Sequence, residues 1–282
     1  MKGGPCMKNI FLISNLSRDP EYRLRSRACR FLTERGASCV QRELRDDKVP
    51  AGTECIVTLG GDGTMLGAIR QYVDSNVPFV GINTGTLGYL TEGNAEQMEE
   101  ILTGLLEDSM LTERRMLLQG KVFRDGKMIG RHRALNDVVI GRTKSMKLIR
   151  MNLYINGQFL SQYRADGLII ATPTGSTGYS FSVGGPIVKP TAKLFVTTPI
   201  ASHSLNNRSL VFASNDRIEV EIAPDIHYEQ DGTVHEAYFD GTDSLPLAVR
   251  DRVEITQASN YVTILKRSER SFMETLAVKL SD

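Results

Sequence analysis

Leu59-Gly60-Gly61-Asp62-Gly63-Thr64 is the stretch on which the reading of this chain turns. It follows the largely β-branched run Cys55-Ile56-Val57-Thr58 and leads into Met65-Leu66-Gly67-Ala68-Ile69-Arg70, an order that predicts strand, glycine-rich turn and helix start. Three glycines let the backbone turn sharply and approach a ligand without Cβ interference. The helix start supplies free N–H groups and positive dipole character, which suit phosphate. Asp62, set among the glycines, cannot attract phosphate; it suits accepting a proton from a hydroxyl or helping to hold a cation. A tight turn in which Asp62 caps the helix reads from the same residues.

Working outward, the flanking segments alternate strand and helix. Ile10–Ile13 is an apolar run of the kind buried on both faces. Asp19-Pro20 predicts an N-cap followed by proline at the first helical position, and Leu24, Ala28, Phe31 and Leu32 share one helical face before a stop at Gly36. A strand is expected near Ser38–Gln41, and the loop Asp46–Thr53 then leads to the central stretch. Beyond it, Val77–Ile82 predicts a strand ending in a second glycine-bearing loop, Asn83-Thr84-Gly85-Thr86-Leu87-Gly88-Tyr89, where ligands gather in parallel α/β sheets. Asn94 opens a helix whose Met98, Ile101, Leu102, Leu105 and Leu106 form an apolar face. The pattern predicts a parallel, Rossmann-like sheet with helices on both sides.

Near Leu111–Arg115 the character changes to short β-runs. Met116–Phe123 runs into Asp125-Gly126 and Leu148–Ile155 into Asn156-Gly157, both two-residue hairpin signals. Further runs are Leu194–Thr198, Ile218–Ile222, Val253–Gln257 and Tyr261–Leu265, and Phe272, Leu276 and Leu280 suggest a closing helix. The expected domains are 1–111, joined by 266–282, and a largely antiparallel β domain, 112–265.

Composition narrows the class. Lys plus Arg number 34 against 33 Asp plus Glu, a net charge of +1, so no footprint for nucleic acid or an anionic membrane is present. Cys6, Cys29, Cys39 and Cys55 lack CxxC spacing, which fits reduced thiols. The start has no apolar h-region and no window approaches a membrane span, so a soluble, cytoplasmic chain is expected. Residues 1–7 read as a flexible tail, with Met7 as an alternative start.

Two stretches in the β domain carry further chemistry. Leu135-Asn136-Asp137-Val138-Val139-Ile140 puts an amide and an acid at the mouth of an apolar strand, a pair suited to a sugar diol and also common in plain turns. The denser one runs from Tyr163-Arg164-Ala165-Asp166-Gly167 through Leu168-Ile169-Ile170-Ala171 to Thr172-Pro173-Thr174-Gly175-Ser176-Thr177-Gly178-Tyr179-Ser180-Phe181-Ser182. Its hydroxyls and free amides make a polar, uncharged cradle for a nucleotide, or a serine-threonine turn. Ser176 lacks a G-x-S-x-G frame, which argues against a serine hydrolase.

Gly60-Gly61-Asp62-Gly63-Thr64, Asn136-Asp137, and Asp166-Gly167 followed by Thr172–Thr177 occur in the order and spacing that resemble the NAD kinases, from about Met7 to the C-terminal helix. These enzymes phosphorylate the adenosine-ribose 2′-hydroxyl of NAD. The first motif is shared with diacylglycerol, sphingosine and phosphofructo-kinases; the Asp166–Ser182 stretch is the specific part. Gly81-Ile82-Asn83 with Gly85, Leu87 and Gly88 resembles the family's second loop. The resemblance implies an α/β domain followed by a mostly β domain, a β-sandwich, with the last helix returning to the first domain. It implies Asp62 as proton acceptor, Gly61 and Gly63 near phosphates, and Asn83 in the second loop. Asn136 and Asp137 would hold the ribose. Arg164, Asp166, Ser176, Thr177, Gly178, Tyr179, Ser180, Phe181 and Ser182 would line the dinucleotide site, with Asp240 and Thr242 at its far edge. It also implies ATP with Mg²⁺ as donor, no protein-only metal site, and a homodimer or homotetramer. Asp137 stands where glutamate is usual, Gly178 for alanine and Thr242 for glutamine. A lipid or sugar kinase and a silent NAD-binding sensor are the competing readings.

Overall fold

The computed structural model describes residues 7–15, 19, 21–43, 48–85, 88–142, 148–203, 207–224, 235–268 and 271–281. Residues 1–6 of the expected tail, Pro20, and Thr86 and Leu87 of the second glycine loop lie outside the described residues, as does part of the 46–53 loop. The chain divides into two compact units, Met1–Arg114 with Val262–Asp282, and Arg115–Tyr261.

In the first unit the apolar runs become strands because nearly every residue in them is buried. The elements are β1 (Asn9–Ser14), α1 (Arg23–Glu34), β2 (Ser38–Glu43), β3 (Cys55–Leu59), α2 (Asp62–Tyr72), β4 (Phe79–Ile82) and α3 (Met98–Leu106). The strands pair in parallel in the order β2-β1-β3-β4, and Ile264 of the chain's last strand adds beside Phe79, also in parallel. Alternate side chains choose opposite faces. Ile10, Leu12, Val57, Leu59, Val80 and Ile82 pack with Ala28, Phe31 and Leu32 of α1 and Ile101, Leu102 and Leu105 of α3. Phe11, on the other face, meets Tyr72 of α2 edge-on at 5.5 Å. Helices therefore cover both faces, as the alternation predicts.

The start of α1 departs from expectation. Tyr22, at φ 53°, precedes the helix, which begins at Arg23. The Asp19 carboxylate nevertheless accepts the amide N–H of Leu24 at 3.2 Å and of Arg25 at 3.0 Å, capping the helix across an intervening turn. Gly36, at φ +81°, ends the helix in the left-handed conformation. Asn94 forms a capping box with Gln97 ahead of α3.

The second unit is antiparallel and two-layered, a β-sandwich. Its elements are β5 (Leu111–Arg124, entering from the first unit), β6 (Lys127–Ala134), β7 (Asp137–Arg142), β8 (Ile149–Ile155), β9 (Gln158–Ala165), β10 (Gly167–Ala171), α4 (Tyr179–Ser182), β11 (Leu194–Ile200), β12 (Leu210–Ala213), β13 (Ile218–Ile222), β14 (His235–Phe239), β15 (Asp243–Leu247) and β16 (Arg252–Lys266, leaving for the first unit). One layer runs β12-β11-β10-β7-β14-β15, and the other is built from β5, β6, β8, β9, β13 and β16. Met116, Leu118, Met151, Leu153, Val220 and Val253 from one layer and Val138, Ile140, Leu168, Ile170, Phe195 and Phe239 from the other form one core. Both hairpin turns carry positive φ at both positions, 49° and 75° at Asp125-Gly126 and 52° and 81° at Asn156-Gly157. The runs Val253–Gln257 and Tyr261–Leu265 are a single strand, β16, because Ala258-Ser259-Asn260 contains neither glycine nor proline to end it. The last helix, α5 (Ser271–Ser281), belongs to the first unit, where Phe272 lies 6.0 Å from the Tyr89 ring. No helix among the described residues is long and apolar enough to cross a membrane.

Candidate active site

The central stretch folds as strand, turn and helix. Gly60 is required because a Cβ there would overlap the Thr64 side chain and lie 2.6 Å from its Cβ. Gly61 stands at the N-cap of α2 with no side chain capping the helix, so Asp62 is not a cap. Its carboxylate reaches across to the second loop instead. Oδ2 accepts the Tyr89 N–H at 2.8 Å and Oδ1 accepts the Leu90 N–H at 3.0 Å. Gly88 permits this approach, since a Cβ there would overlap the carboxylate and lie 2.7 Å from Oδ2. Two amide bonds fix the plane of the carboxylate and leave each oxygen a lone pair for another partner. Asn83 shapes the same loop: its Oδ1 accepts the Gly85 N–H at 2.7 Å and its Nδ2 donates to Thr91 Oγ1 at 3.3 Å. Gly61, Asp62, Gly63 and Asn83 thus gather at the C-terminal ends of β3 and β4, where parallel sheets bind ligands.

In the second unit the Asn136 turn and the hydroxyl-rich run are interlocked. The Thr172 N–H donates to the Asn136 carbonyl at 2.8 Å, and the Thr172 hydroxyl donates to the Leu135 carbonyl. Gly178 faces the Asn136 and Asp137 side chains; a Cβ there would lie 3.7 Å from Asn136 Nδ2 and 4.0 Å from Asp137 Oδ2. The Asp240 carboxylate accepts the N–H groups of Leu135 at 2.8 Å, Asn136 at 2.7 Å and Asp137 at 3.2 Å, so it holds the turn from behind. Thr242 follows in the same bend, its N–H donating to Phe239 O at 3.1 Å.

The hydroxyl run divides. Ser176 is buried, donating to Pro173 O at 2.7 Å and accepting the Val188 N–H at 3.0 Å. Ser180 is buried against Thr198 Oγ1 at 3.2 Å, and Thr177 donates to Thr174 O at 3.3 Å. These oxygens build the turn. Tyr179 and Phe181 are exposed, as are Ser182 and Arg164.

Asp166 and Tyr179 meet in a pocket of about 360 Å³ with Val139, Arg142, Tyr238 and Gly241. Arg142 pairs with Asp166 at 2.7 Å, neutralising it. Arg142 and Tyr238 carry no local sequence signal for this pocket. Only the pairing of β7 between β10 and β14, with Gly141 opposite Gly167 and Val139 opposite Tyr238, brings them together.

Asp137, beside the Asn136 turn, holds its proton above the usual carboxylate range. Burial, and then the neighbouring Asp240 charge, push its carboxyl up to about 7. The unfolded chain releases this proton near pH 3.8 whereas the folded chain keeps it until about 7. Between those values the folded state binds more protons, so stability falls as pH rises, and above them the loss is complete. Asp137→Asn is expected to remove this slope, at most about 1.4 kcal/mol per pH unit. Urea unfolding of both proteins at pH 5 and pH 7 reads it; equal slopes would show that Asp137 ionises normally.

The first unit presents an anchored carboxylate in a glycine turn at the end of a parallel sheet, and the second holds a hydroxyl-rich loop locked to the Asn136 turn; both belong to a class of nucleotide-using enzymes. Family models agree: that of the ATP-NAD kinase N-terminal domain matches residues 40–110 and that of the C-terminal domain residues 135–267. The NAD kinase of Lachnospira eligens is 39% identical over 97% of this chain and 100% of its own length; that of Agathobacter rectalis is 36% identical over 98% and 99%. The chain belongs to the NAD kinase family. Among solved structures, a yeast NADH kinase complexed with NADH shares the fold at TM-score 0.83, with 22% identity over 98% of this chain and 88% of its own. An Archaeoglobus fulgidus NAD kinase in complex with ATP shares it at 0.75, with 24% identity over 97% and 99%.

Proposed function

We infer that this chain transfers the γ-phosphoryl group of ATP to the 2′-hydroxyl of the adenosine ribose of NAD, giving NADP and ADP. The observation that carries the chemistry is the Asp62 carboxylate, fixed by the Tyr89 and Leu90 amides at the glycine turn. The new O–P bond forms as the bond to the ADP oxygen breaks, and Asp62 takes the hydroxyl proton. Gly61 and Gly63 lie on the phosphate side. No group of three or more His, Cys, Asp or Glu among the described residues is arranged to hold a metal. A Mg²⁺ ion arriving with ATP would supply charge neutralisation at the phosphates.

Asn136 and Asp137 hold the ribose. A protonated Asp137 donates a hydrogen bond that an ionised one cannot. Asp166, with Arg142, and Tyr179 border the dinucleotide, and Thr177, Gly178, Phe181, Ser182 and Arg164 frame its entrance. Asn83, Ser176, Ser180, Asp240 and Thr242 act through the loops they hold. The exposed Phe159 and Leu160 on β9, 60% and 46% accessible, support assembly into a homodimer or homotetramer. The balanced charge supports action on free nucleotides rather than on nucleic acid or a membrane surface, and cysteines without CxxC spacing fit the reduced thiols of a cytoplasmic enzyme. The test is incubation with ATP, Mg²⁺ and NAD, with NADP detected by an NADP-specific dehydrogenase. No NADP from folded protein that binds NAD would overturn the reading.

A further inference from the structure

Asp62 owes its orientation to the Tyr89 and Leu90 amides, so whatever holds those amides also holds the proton acceptor. The segment that follows, Thr91-Glu92-Gly93, is buried, with Glu92 packed into the interior. The Glu92 N–H donates to Gly81 O at 2.9 Å, and the Gly93 carbonyl accepts the Asn83 N–H at 2.8 Å, which lays the segment along the end of β4. Gly81 allows this contact, since a Cβ there would lie 2.9 Å from Thr91 Cγ2 and 3.3 Å from Leu90 O. The Glu92 carboxylate is wholly buried. One oxygen meets Lys266 Nζ at 2.5 Å, with the lysine side chain only 5% accessible, and the other accepts the Arg267 N–H at 2.9 Å.

We propose that the buried Glu92–Lys266 pair positions Asp62 by clamping the 88–93 segment to the end of the last strand. The inference rests on the reading of Asp62 as proton acceptor. Only one residue separates Glu92 from the Leu90 amide, so there is no slack to absorb a shift at Glu92. A buried charge without its partner is strongly disfavoured, and the segment carrying it moves to reach water. Such a shift turns the carboxylate of Asp62 without removing any group that touches a nucleotide. Glu92 and Lys266 are positioning residues, and turnover rather than NAD affinity should depend on them.

The experiment uses the full chain and four variants: Lys266→Met, Lys266→Arg, Glu92→Gln, and the double variant Glu92→Gln/Lys266→Met, which leaves no lone buried charge. Turnover per folded molecule is measured together with amide hydrogen exchange at Tyr89 and Leu90. The single neutralising variants are expected to lower kcat about 10- to 100-fold with KM for NAD within roughly twofold. Exchange at the two amides should accelerate, and Lys266→Arg should restore most of both. Should the single variants fail to fold, the double variant decides through loss of the clamp alone, with a smaller fall in kcat, about 3- to 10-fold, and faster exchange at both amides expected. Unchanged kcat and unchanged exchange in any folded neutralising variant would overturn the proposal, as would a purely thermal loss of stability with turnover intact. Asp62→Asn is run alongside. If it stays active, the proton-acceptor reading fails, while exchange at Tyr89 and Leu90 still reports whether the clamp holds the segment.

Discussion

Asp62→Asn is expected to lower turnover about 10²–10⁴-fold while NAD still binds. The amide cannot take the hydroxyl proton, and that alone supplies most of the loss. Geometry adds to it. Asp62 presents an acceptor to each of two N–H donors, Tyr89 at 2.8 Å and Leu90 at 3.0 Å. Asparagine offers one acceptor and one donor, so an NH₂ group must confront a backbone N–H, and the pair repels. Lengthening the side chain gives no escape, because the carboxylate already rests where a Cβ on Gly88 would be. Asp62→Glu is therefore expected to be nearly as inactive although it retains the acid. Single-turnover NADP formation, with NAD affinity by equilibrium dialysis, separates chemistry from binding. Turnover within a few-fold of the parent would remove Asp62 from the reaction.

The parts of this structure legible in the sequence are those fixed by local rules. β1, β3 and β4 are buried on both faces and so read as unbroken apolar runs. Asp125-Gly126 and Asn156-Gly157 name their hairpins because few residues accept two consecutive positive φ values. β14 and β15 were not legible. They are short, and Pro246 in β15 argues against a strand unless its place at the sheet edge is known. In the site, the glycines announce the turn that carries Asp62, but the groups that orient its carboxylate are backbone amides 27 and 28 residues away, and an amide has no residue-type signature. Hydroxyls are ambiguous in the opposite direction: Ser176 and Ser180 read as ligand contacts, and here their oxygens bond Pro173, Val188 and Thr198. A run of serines and threonines looks the same whether it faces a ligand or its own backbone. The Arg142–Asp166 pair depends on strand register, which is a tertiary property.

Gly175→Ala is expected to dismantle the cradle, whereas Gly178→Ala three residues away should pass almost unnoticed. A Cβ on Gly175 would overlap the Asn136 carbonyl oxygen, lying 2.5 Å from its carbon and 2.8 Å from its Cα. Those are backbone atoms, and they cannot rotate aside. They are also pinned, since the Asn136 carbonyl accepts the Thr172 N–H and Thr172 Oγ1 accepts the Gly175 N–H at 3.2 Å. Relief requires the Asn136 turn and the 172–177 loop to separate, breaking these bonds and freeing Asn136 and Asp137 together. The cost is about 3 kcal/mol, a fall in Tm of roughly 6–12 °C, and activity should be lost even below the melting range. At Gly178 the tightest contact of an added Cβ is 3.3 Å from Gly175 O, with side chains of Asn136 and Asp137 beyond it. Shifts of a few tenths of an ångström accommodate that, so a change within about 0.5 kcal/mol and near-parental turnover are expected. Thermal unfolding and NADP formation of the two variants side by side test the claim, because both add one methyl group to the same loop. Equal tolerance of the two substitutions would mean that the Asn136 turn and the hydroxyl loop are not locked together, and that the cradle forms only around its ligand.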